Sequence, residues 1–256
     1  FPLALDLGCG SGALARAVAG RGGIERLVAA DAAFACACAA AAPRLAAEPD
    51  CLPFAPRSFD LVLSNLALHW VNDLPGALLQ LRHVLKPDGL LIAALWGGET
   101  LAELRRALIE AELEIEGGAS PRVSPFADLA DLGRLLQRAG LALPVVDGDL
   151  IEVTYPDALA LMRELRLMGE GNAVAERRKS CSRRATLFRA AERYRALFGT
   201  AAGRIPATFQ LVTITAWAPA AGQPQPLRPG SARHRLAEAL ATVERPAGDK
   251  AAPSRG

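Results

Sequence analysis

The chain has 256 residues, with 29 basic and 27 acidic side chains and a formal net charge of +2. Hydrophobic residues make up 51% of it and charged residues 22%, a composition typical of a globular protein with a sizeable core. This excludes a chain that is disordered throughout. The near balance of charge argues against a broad basic surface for nucleic acid or anionic membranes, so neither is predicted as a partner.

The five cysteines are odd in number and include no C-x-x-C pair, which predicts reduced thiols in an intracellular protein. Cys36 and Cys38 could form half of a metal site, but no second cluster accompanies them, and we predict no metal. The longest apolar runs are shorter than the ~20 residues of a membrane span, so no span is predicted. Because the chain begins with Phe1 and enters a strand pattern at once, we expect that it lacks its natural beginning.

Short apolar runs alternate with helical stretches over the first hundred residues. The predicted strands are residues 3–7, 27–30, 59–63 and 90–96. Continuous apolar strands alternating with helices indicate a doubly wound, mostly parallel α/β sheet with helices on both faces. A helix from Asp73 to Leu85 and a turn at 86–89 are predicted before the strand at 90–96. After that strand, a capping box at Thr100 and Glu103 predicts the start of a helix that ends at Gly117, and a further helix is predicted from Ser124 to Gly140.

The second half of the chain predicts strands interrupted by a helical insertion. Residues 144–155 indicate strand material with a turn at Asp147 and Gly148, and 207–217 indicate the last strand. Two helices joined by a glycine-containing loop are predicted over 157–198, in the position of a lid. We therefore predict a core domain at 1–143, late strands with the lid at 144–217, and a tail at 218–256 with a short helix over 231–241 and a disordered end.

A strand running directly into a glycine loop and a helix is the most informative motif. Gly8, Gly10 and Gly12 allow backbone to approach a ligand where a Cβ would collide, and the helix start presents free N–H groups. The spacing also satisfies the dinucleotide fingerprint, with Asp31 where a ribose-binding acid is expected. The loop alone therefore leaves both a dinucleotide and another adenosyl ligand open.

Acidic residues at two further positions narrow the choice of ligand. Asp6 precedes the loop, where it could either meet a cationic amino group or satisfy loop amides. An acidic segment, 48–54, precedes the stretch 59–65, which contains the predicted strand 59–63, and a turn at 86–89 follows. This order resembles the class I S-adenosylmethionine-dependent methyltransferases over residues 3–96, whose Rossmann-like sheet has seven strands.

The resemblance implies S-adenosyl-L-methionine as the cofactor. It implies that the loop glycines line the methionine end, that Asp31 holds the ribose hydroxyls, and that Glu48 meets the adenine amino group, with Leu52 packed on the ring. Glu48 stands where aspartate is usual. The ligand is cationic, so acids suit it better than phosphate-binding arginines. The alternative is that Asp31 caps a helix and that Glu48 lies on a solvated face.

The loop after the strand at 59–63 supplies the candidates for substrate contact. Ligands of such sheets bind at the carboxyl edge, where Asn65 and His69 are expected to lie, and Asn65 is also a candidate for cofactor contact. No Asn/Asp-Pro-Pro-aromatic motif is present, which argues against methylation of bases or glutamine. His69 could instead be a packed histidine. The lid is rich in arginine between 177 and 195, which predicts either an acidic partner or a face that balances acids elsewhere.

Beyond residue 96 the resemblance narrows to one family. Its motifs are residues 63–75, 97–101, 120–126, 168–173, 205–210 and 229–232. They resemble the methyltransferase-like assembly factors of respiratory complex I and their bacterial relatives, which are known for hydroxylating an arginine of an iron–sulphur subunit. The malonyl-acyl-carrier-protein methyltransferases of biotin synthesis share the layout more distantly. The family implies the bacterial cytoplasm or, in eukaryotes, the mitochondrial matrix.

The residues and the family imply different reactions. Hydroxylation needs an oxidant, and no His-x-Asp/Glu pair begins an iron-binding triad in this chain. Methyl transfer needs only the cofactor and an aligned nucleophile. The leading hypothesis is therefore an S-adenosylmethionine-dependent methyltransferase acting on a protein or carrier-bound substrate, with arginine hydroxylation, carrier carboxyl methylation and a non-catalytic assembly chaperone as alternatives.

Overall fold

The computed structural model describes residues 1–39, 43–224, 231 and 235–243. The strands are β1 Leu3–Leu7, β2 Arg26–Asp31, β3 Arg44–Ala46, β4 Phe59–Asn65, β5 Leu85–Trp96, β6 Ala142–Tyr155 and β7 Ile205–Trp217. The helices are α1 Ala13–Val18, α2 Phe34–Ala39, α3 Leu74–Val84, α4 Ala102–Glu116, α5 Leu129–Arg138, α6 Ala158–Leu167, α7 Arg184–Phe198 and α8 Leu236–Ala239, with a 3-10 turn at Leu68–Trp70.

The strands form one seven-stranded sheet in the order β3-β2-β1-β4-β5-β7-β6. All neighbours are parallel except β7, which runs antiparallel to both β5 and β6. This confirms the predicted Rossmann-like, mostly parallel α/β fold. The strand order reverses between β1 and β4, and ligands of such sheets bind at the carboxyl ends of the strands on either side of that point.

Helices cover both faces of the sheet, because alternate residues of each strand enter different apolar clusters. Leu5 of β1 and Val62 of β4 belong to the main core with helices α3 and α5. Ala4 of β1 and Leu61 of β4 point to the other face, where α1 packs. The inner strands are therefore buried on both sides, which explains their continuous apolar sequence.

A second apolar core holds the helical insertion. Leu161 of α6, Tyr194 of α7 and Ala207 of β7 are fully buried there, together with residues of α4. The two helices predicted over 157–198 are confirmed as α6 and α7. This core attaches the insertion to α4 and to the last strand.

The chain divides into two compact units, Phe1–Ala220 and Ala221–Gly256. The second unit contains the short helix α8, which lies within the predicted helix at 231–241. Except for Ser231, the motif at 229–232 lies outside the described residues, as do residues 244–256 of the predicted disordered end.

The turn predicted at 86–89 is instead an irregular part of strand β5. Phe59 pairs with Leu85, whereas Leu61 pairs with Leu90, so the residues between them bulge from the ladder. Asp88, within these residues, has a left-handed φ of 63°. The Lys-Pro-Asp-Gly sequence therefore changes the register of the strand without ending it.

The capping box predicted at Thr100 and Glu103 is not formed. Leu101 caps α4 in a left-handed conformation without a side-chain hydrogen bond. Thr100 Oγ1 instead accepts from the backbone N–H of Gln210 at 3.1 Å, and Glu103 Oε2 accepts from the N–H of Thr208 at 3.2 Å. Both side chains bind strand β7 because β7 runs alongside the start of the helix.

Two further boundaries differ from the prediction. Strand β6 runs without a turn through Asp147 and Gly148, which pair with Thr213 and Val212. A Cβ at Gly148 would lie 2.8 Å from Leu129 Cδ2, so this glycine permits close packing of α5 rather than a turn. Helix α5 begins after Asp128, later than Ser124, because the Asp128 side chain accepts the N–H of Asp131 at 2.7 Å.

Candidate cofactor and substrate site

The glycine loop after β1 lies against the segment that follows β4. Gly8, Gly10 and Gly12 have left-handed φ values of 74°, 50° and 76°. A Cβ at Gly8 would lie 2.1 Å from the Cβ of Ala67, so only glycine fits there. The N–H of Gly8 donates to Ala30 O at 2.8 Å, which ties the loop to β2.

Asp31 lies at the end of β2 and binds the glycine loop directly. Its Oδ2 accepts the N–H of Gly10 at 2.9 Å, and its Oδ1 accepts the N–H of Ala33 at 2.8 Å. The structure thus brings the predicted ribose-binding acid and the loop together. The contact with Ala33 also stabilises the turn before α2, as the alternative interpretation expected.

Asp6 is a buried carboxylate without a partner. It has no exposed surface, and neither of its oxygens makes a hydrogen bond. Burial, and secondarily the negative charge of Asp31, raises the pKa of Asp6 to about 6. The alternative that Asp6 satisfies loop amides is therefore wrong. An unpaired buried carboxylate beside a second acid fits a cationic ligand group.

The segment predicted to contact adenine begins next to Asp31. The N–H of Ala47 donates to Asp31 O at 3.0 Å, which holds the start of the segment against β2. Glu48 follows and is exposed, whereas Leu52 is 7% exposed and packs in the main core. The adenine contacts of these two side chains stay a prediction.

Asn65 and His69 occupy different environments after β4. Asn65 ends the strand and is exposed at its carboxyl end. The side chain of His69 is only 2% exposed, and its ring lies 5.3 Å from that of Trp70 and 5.7 Å from that of Phe126, measured between centroids. Neither ring nitrogen of His69 makes a hydrogen bond. His69 is thus the packed histidine of the alternative interpretation, and Asn65 is the accessible candidate.

A cavity of about 60 Å³ lies between the ends of the late strands, the start of α4 and the insertion. Its wall includes four aromatic rings and two charged side chains, those of Trp70, Trp96, Phe126, Phe209, Glu170 and Arg122. Sequence reasoning did not select Glu170 as a site residue, although it lies within the family motif at 168–173.

Glu170 connects the insertion to strand β5. Its Oε1 accepts the indole N–H of Trp96 at 3.0 Å, and its Oε2 lies 3.5 Å from Nε2 of His69. The Glu170 side chain is 16% exposed. Neither contact supplies a fixed positive charge, so the carboxylate stays available to a cation in the cavity.

Three arginines of the insertion form ion pairs with acids of helix α4. Arg189 Nη2 and Arg193 Nη2 donate to Glu114 of α4 at 2.6 and 2.9 Å, and Arg178 pairs with Glu116. Hydrogen bonds from Arg189 and Arg193 hold the pKa of Glu114 at about 2. For these three arginines, the pairing supports the interpretation of a helix face that balances acids elsewhere rather than a surface that attracts an acidic partner.

The described residues contain no group of three His, Cys, Asp or Glu side chains placed to hold a metal ion. Within the same residues, no helix combines the length and the hydrophobicity that crossing a bilayer would require.

Comparisons with known proteins agree with this fold and extend over nearly the whole chain. A methyltransferase-domain family profile matches residues 5–93. The mitochondrial arginine-hydroxylase NDUFAF5 of Danio rerio is 44% identical over 243 residues, covering 93% of this chain and 75% of the relative. The chain belongs to the NDUFAF5 family.

The NDUFAF5 family shares its layout with a second group of enzymes. The malonyl-[acyl-carrier protein] O-methyltransferase of Methylovorus sp. (strain MP688) is 34% identical over 231 residues, covering 85% of this chain and 75% of the relative. Among solved structures, the YcgJ protein of Bacillus subtilis has a TM-score of 0.57 at 17% identity, covering 86% of this chain and 92% of that one. That likeness concerns the fold of this NDUFAF5-family chain.

Proposed function

We propose that the chain binds S-adenosyl-L-methionine at the glycine loop and modifies an arginine side chain of a protein substrate in the cavity beside Glu170. An iron–sulphur subunit of respiratory complex I is the proposed substrate, as the family resemblance implies. The proposed site of action is the mitochondrial matrix or the bacterial cytoplasm.

The residues around the loop fit a cationic cofactor. Asp6 and the three loop glycines would hold the methionine end, Asp31 the ribose, and Glu48 and Leu52 the adenine. Asn65 lies at the end of β4, on the other side of the strand switch point from Asp31, where cofactor and substrate would meet. When bound, the cofactor supplies an electrophilic methyl group on a sulfonium.

The observation that carries the arginine assignment is the Glu170 carboxylate among aromatic rings. A guanidinium stacks on aromatic faces and forms strong hydrogen bonds with a carboxylate, so both the rings and the Glu170 carboxylate favour it. A substrate carboxylate, such as that of a malonyl carrier, would meet the negative charge of Glu170. The rings would also exclude water from a bound side chain.

Hydroxylation is the leading reaction, because the relatives that match most of the chain are named for it. To balance, it would take one oxygen atom from molecular oxygen and release the other as water, with two electrons from an external reductant, so both co-reactants would come from outside this chain. Methyl transfer to the same arginine is the second candidate, favoured by the methyltransferase-domain match and the acidic cradle of the loop. In both cases the residues of this chain bind and orient the guanidinium.

Mass spectrometry of complex I subunits tests the function. Subunits would be compared from cells that lack the gene and from the same cells carrying wild type, Glu170→Gln, or the exposed-acid control Glu25→Ala. We expect wild type and Glu25→Ala to restore an added oxygen on one arginine, and Glu170→Gln to restore much less. An added methylene would select the second candidate, and no mass difference on any arginine would overturn the proposal.

A further inference from the structure

The cavity beside Glu170 also contains a positive charge, that of Arg122. The Arg122 side chain lines the cavity and is 12% exposed. Its Nε and Nη2 donate to Glu112 Oε1 at 3.0 and 2.6 Å, and its Nη1 donates to Ser182 Oγ at 2.6 Å. The guanidinium is therefore directed at the protein, with each of its three nitrogens occupied.

Glu112 lies behind Arg122 on helix α4 and does not line the cavity. It is 3% exposed and accepts two further hydrogen bonds from Ser120, from the N–H at 2.7 Å and from the hydroxyl at 2.8 Å. Burial alone would raise the pKa of Glu112, but the hydrogen bonds from Arg122 and Ser120 outweigh it and the pKa is lowered. Glu112 is thus held as a carboxylate.

The surrounding charges leave Arg122 and Glu112 as a matched pair. Arg178 Nη1 lies 4.0 Å from Glu112 Oε1, but its closer partner is Glu116. Two charged side chains line this cavity among the described residues, Arg122 and Glu170. Glu170 is the one of the two that forms no ion pair with an arginine or a lysine. The sign of the field in the cavity depends on whether Arg122 stays neutralised.

We propose that Glu112 sets the charge selectivity of this cavity: by pairing with Arg122 it makes the site accept a cationic side chain and reject a carboxylate. This rests on the proposed function, because it takes the cavity as the substrate site. Glu112 acts through Arg122 and is a positioning residue.

Without its carboxylate partner, Arg122 would reverse the preference of the cavity from a cationic to an anionic side chain. A free guanidinium beside the cavity repels a substrate guanidinium and offers a bidentate site to a carboxylate. At the low effective dielectric of a partly buried site, one unit of charge at contact range changes affinity by about tenfold or more. A single pair could therefore separate arginine-directed from carboxylate-directed members of this fold.

Binding of small probes to the full chain tests the proposal without requiring chemistry. Acetyl-arginine amide, its neutral isostere acetyl-citrulline amide, and monomethyl malonate would be titrated while following the fluorescence of Trp70 and Trp96. The variants are Glu112→Gln, the double variant Glu112→Gln/Arg122→Gln, and Ser182→Ala, which removes one hydrogen bond of Arg122 but no charge. Circular dichroism would establish that each variant is folded.

We expect Glu112→Gln to lower the affinity for acetyl-arginine amide by about tenfold and to raise the affinity for monomethyl malonate. The double variant should regain the wild-type preference, since the pair is neutral again, and Ser182→Ala should retain it. A merely structural role would not be rescued by the second substitution.

The outcomes separate this inference from the proposed function. If wild type does not prefer acetyl-arginine amide to acetyl-citrulline amide, the arginine assignment itself fails. If wild type shows that preference but Glu112→Gln leaves it unchanged, only the role of Glu112 is overturned. Should Glu112→Gln not fold, the double variant decides, because loss of the cation preference there contradicts the proposal.

Discussion

Asp6 combines full burial with an unpaired carboxylate, and its titration should be visible in the stability of the unliganded protein. The pKa rises from 3.8 to about 6 on folding. The folded state therefore holds the proton more tightly, so the contribution of Asp6 favours folding at low pH and is lost as pH rises from about 4 to about 6.

As pH rises from about 4 to about 6, we expect the free energy of unfolding of wild type to fall by about 3 kcal/mol relative to that of Asp6→Asn. The difference between the two proteins is the quantity to measure, by urea denaturation at a series of pH values, because paired carboxylates such as Glu112 act in the opposite direction. A constant difference from pH 4 to 7 would mean that Asp6 ionises normally in the folded protein.

Asp31 joins the glycine loop to β2, and its proposed contact with the ribose predicts a direct effect on cofactor binding. We expect Asp31→Ala to lower the affinity for S-adenosyl-L-methionine by at least about tenfold, because charge-assisted hydrogen bonds are lost. Calorimetry gives the affinity, and Glu25→Ala, at an exposed acid just before β2, is the control that should bind as wild type does. Binding of a nicotinamide dinucleotide in place of this ligand would refute the cofactor assignment.

At the scale of elements, helix α4 is the support on which the insertion is built. The acids near its end pair with insertion arginines, while Thr100 and Glu103 at its start bind strand β7. Its two ends thus connect the insertion to the sheet. The exposed ion pairs among these contacts contribute little by themselves, so the buried contacts of α7 must hold the insertion in place.

Tyr194 provides the clearest of these buried contacts. It is fully buried in α7, and its hydroxyl donates to Pro206 O of β7 at 2.7 Å. We expect Tyr194→Phe to lower the free energy of unfolding by about 1–2 kcal/mol, because the carbonyl is left without its partner.

Denaturant unfolding of Tyr194→Phe alongside Tyr155→Phe measures this contribution. Tyr155 lies in the same apolar core and its hydroxyl makes no hydrogen bond within the described residues, so its substitution should change stability little. Equal losses in the two variants would show that the bond to Pro206 does not stabilise the insertion.

At the scale of the whole molecule, the first compact unit contains all seven strands and both large apolar cores. The buried residues of these cores end at Ala218. We therefore expect a chain that ends at Ala220 to unfold in one cooperative transition, with a thermal midpoint within about 4 °C of the full chain. Calorimetry checks this, and a truncated chain without a cooperative transition would contradict it.

The sequence by itself determined the sheet, the glycine loop and the order of the acids around it. These features are local: apolar runs predict strands, glycines after a strand predict a left-handed loop, and Asp31 follows at a fixed spacing. Local patterns failed where a distant strand competed for a side chain. Thr100 and Glu103 have the spacing of a capping box but bind β7, and Gly148 follows an aspartate but serves to admit Leu129 of α5.

Only the tertiary structure decided what the substrate cavity contains. Trp96 and Glu170 are 74 positions apart in sequence, and Arg122 and Ser182 are 60 apart, so no spacing rule joins them. The sequence also showed an arginine-rich insertion without showing that three of its arginines pair with acids of α4. Charge and hydrogen bonding depend on which groups meet in space, and folding brings them together through packing of the whole chain rather than through local pattern.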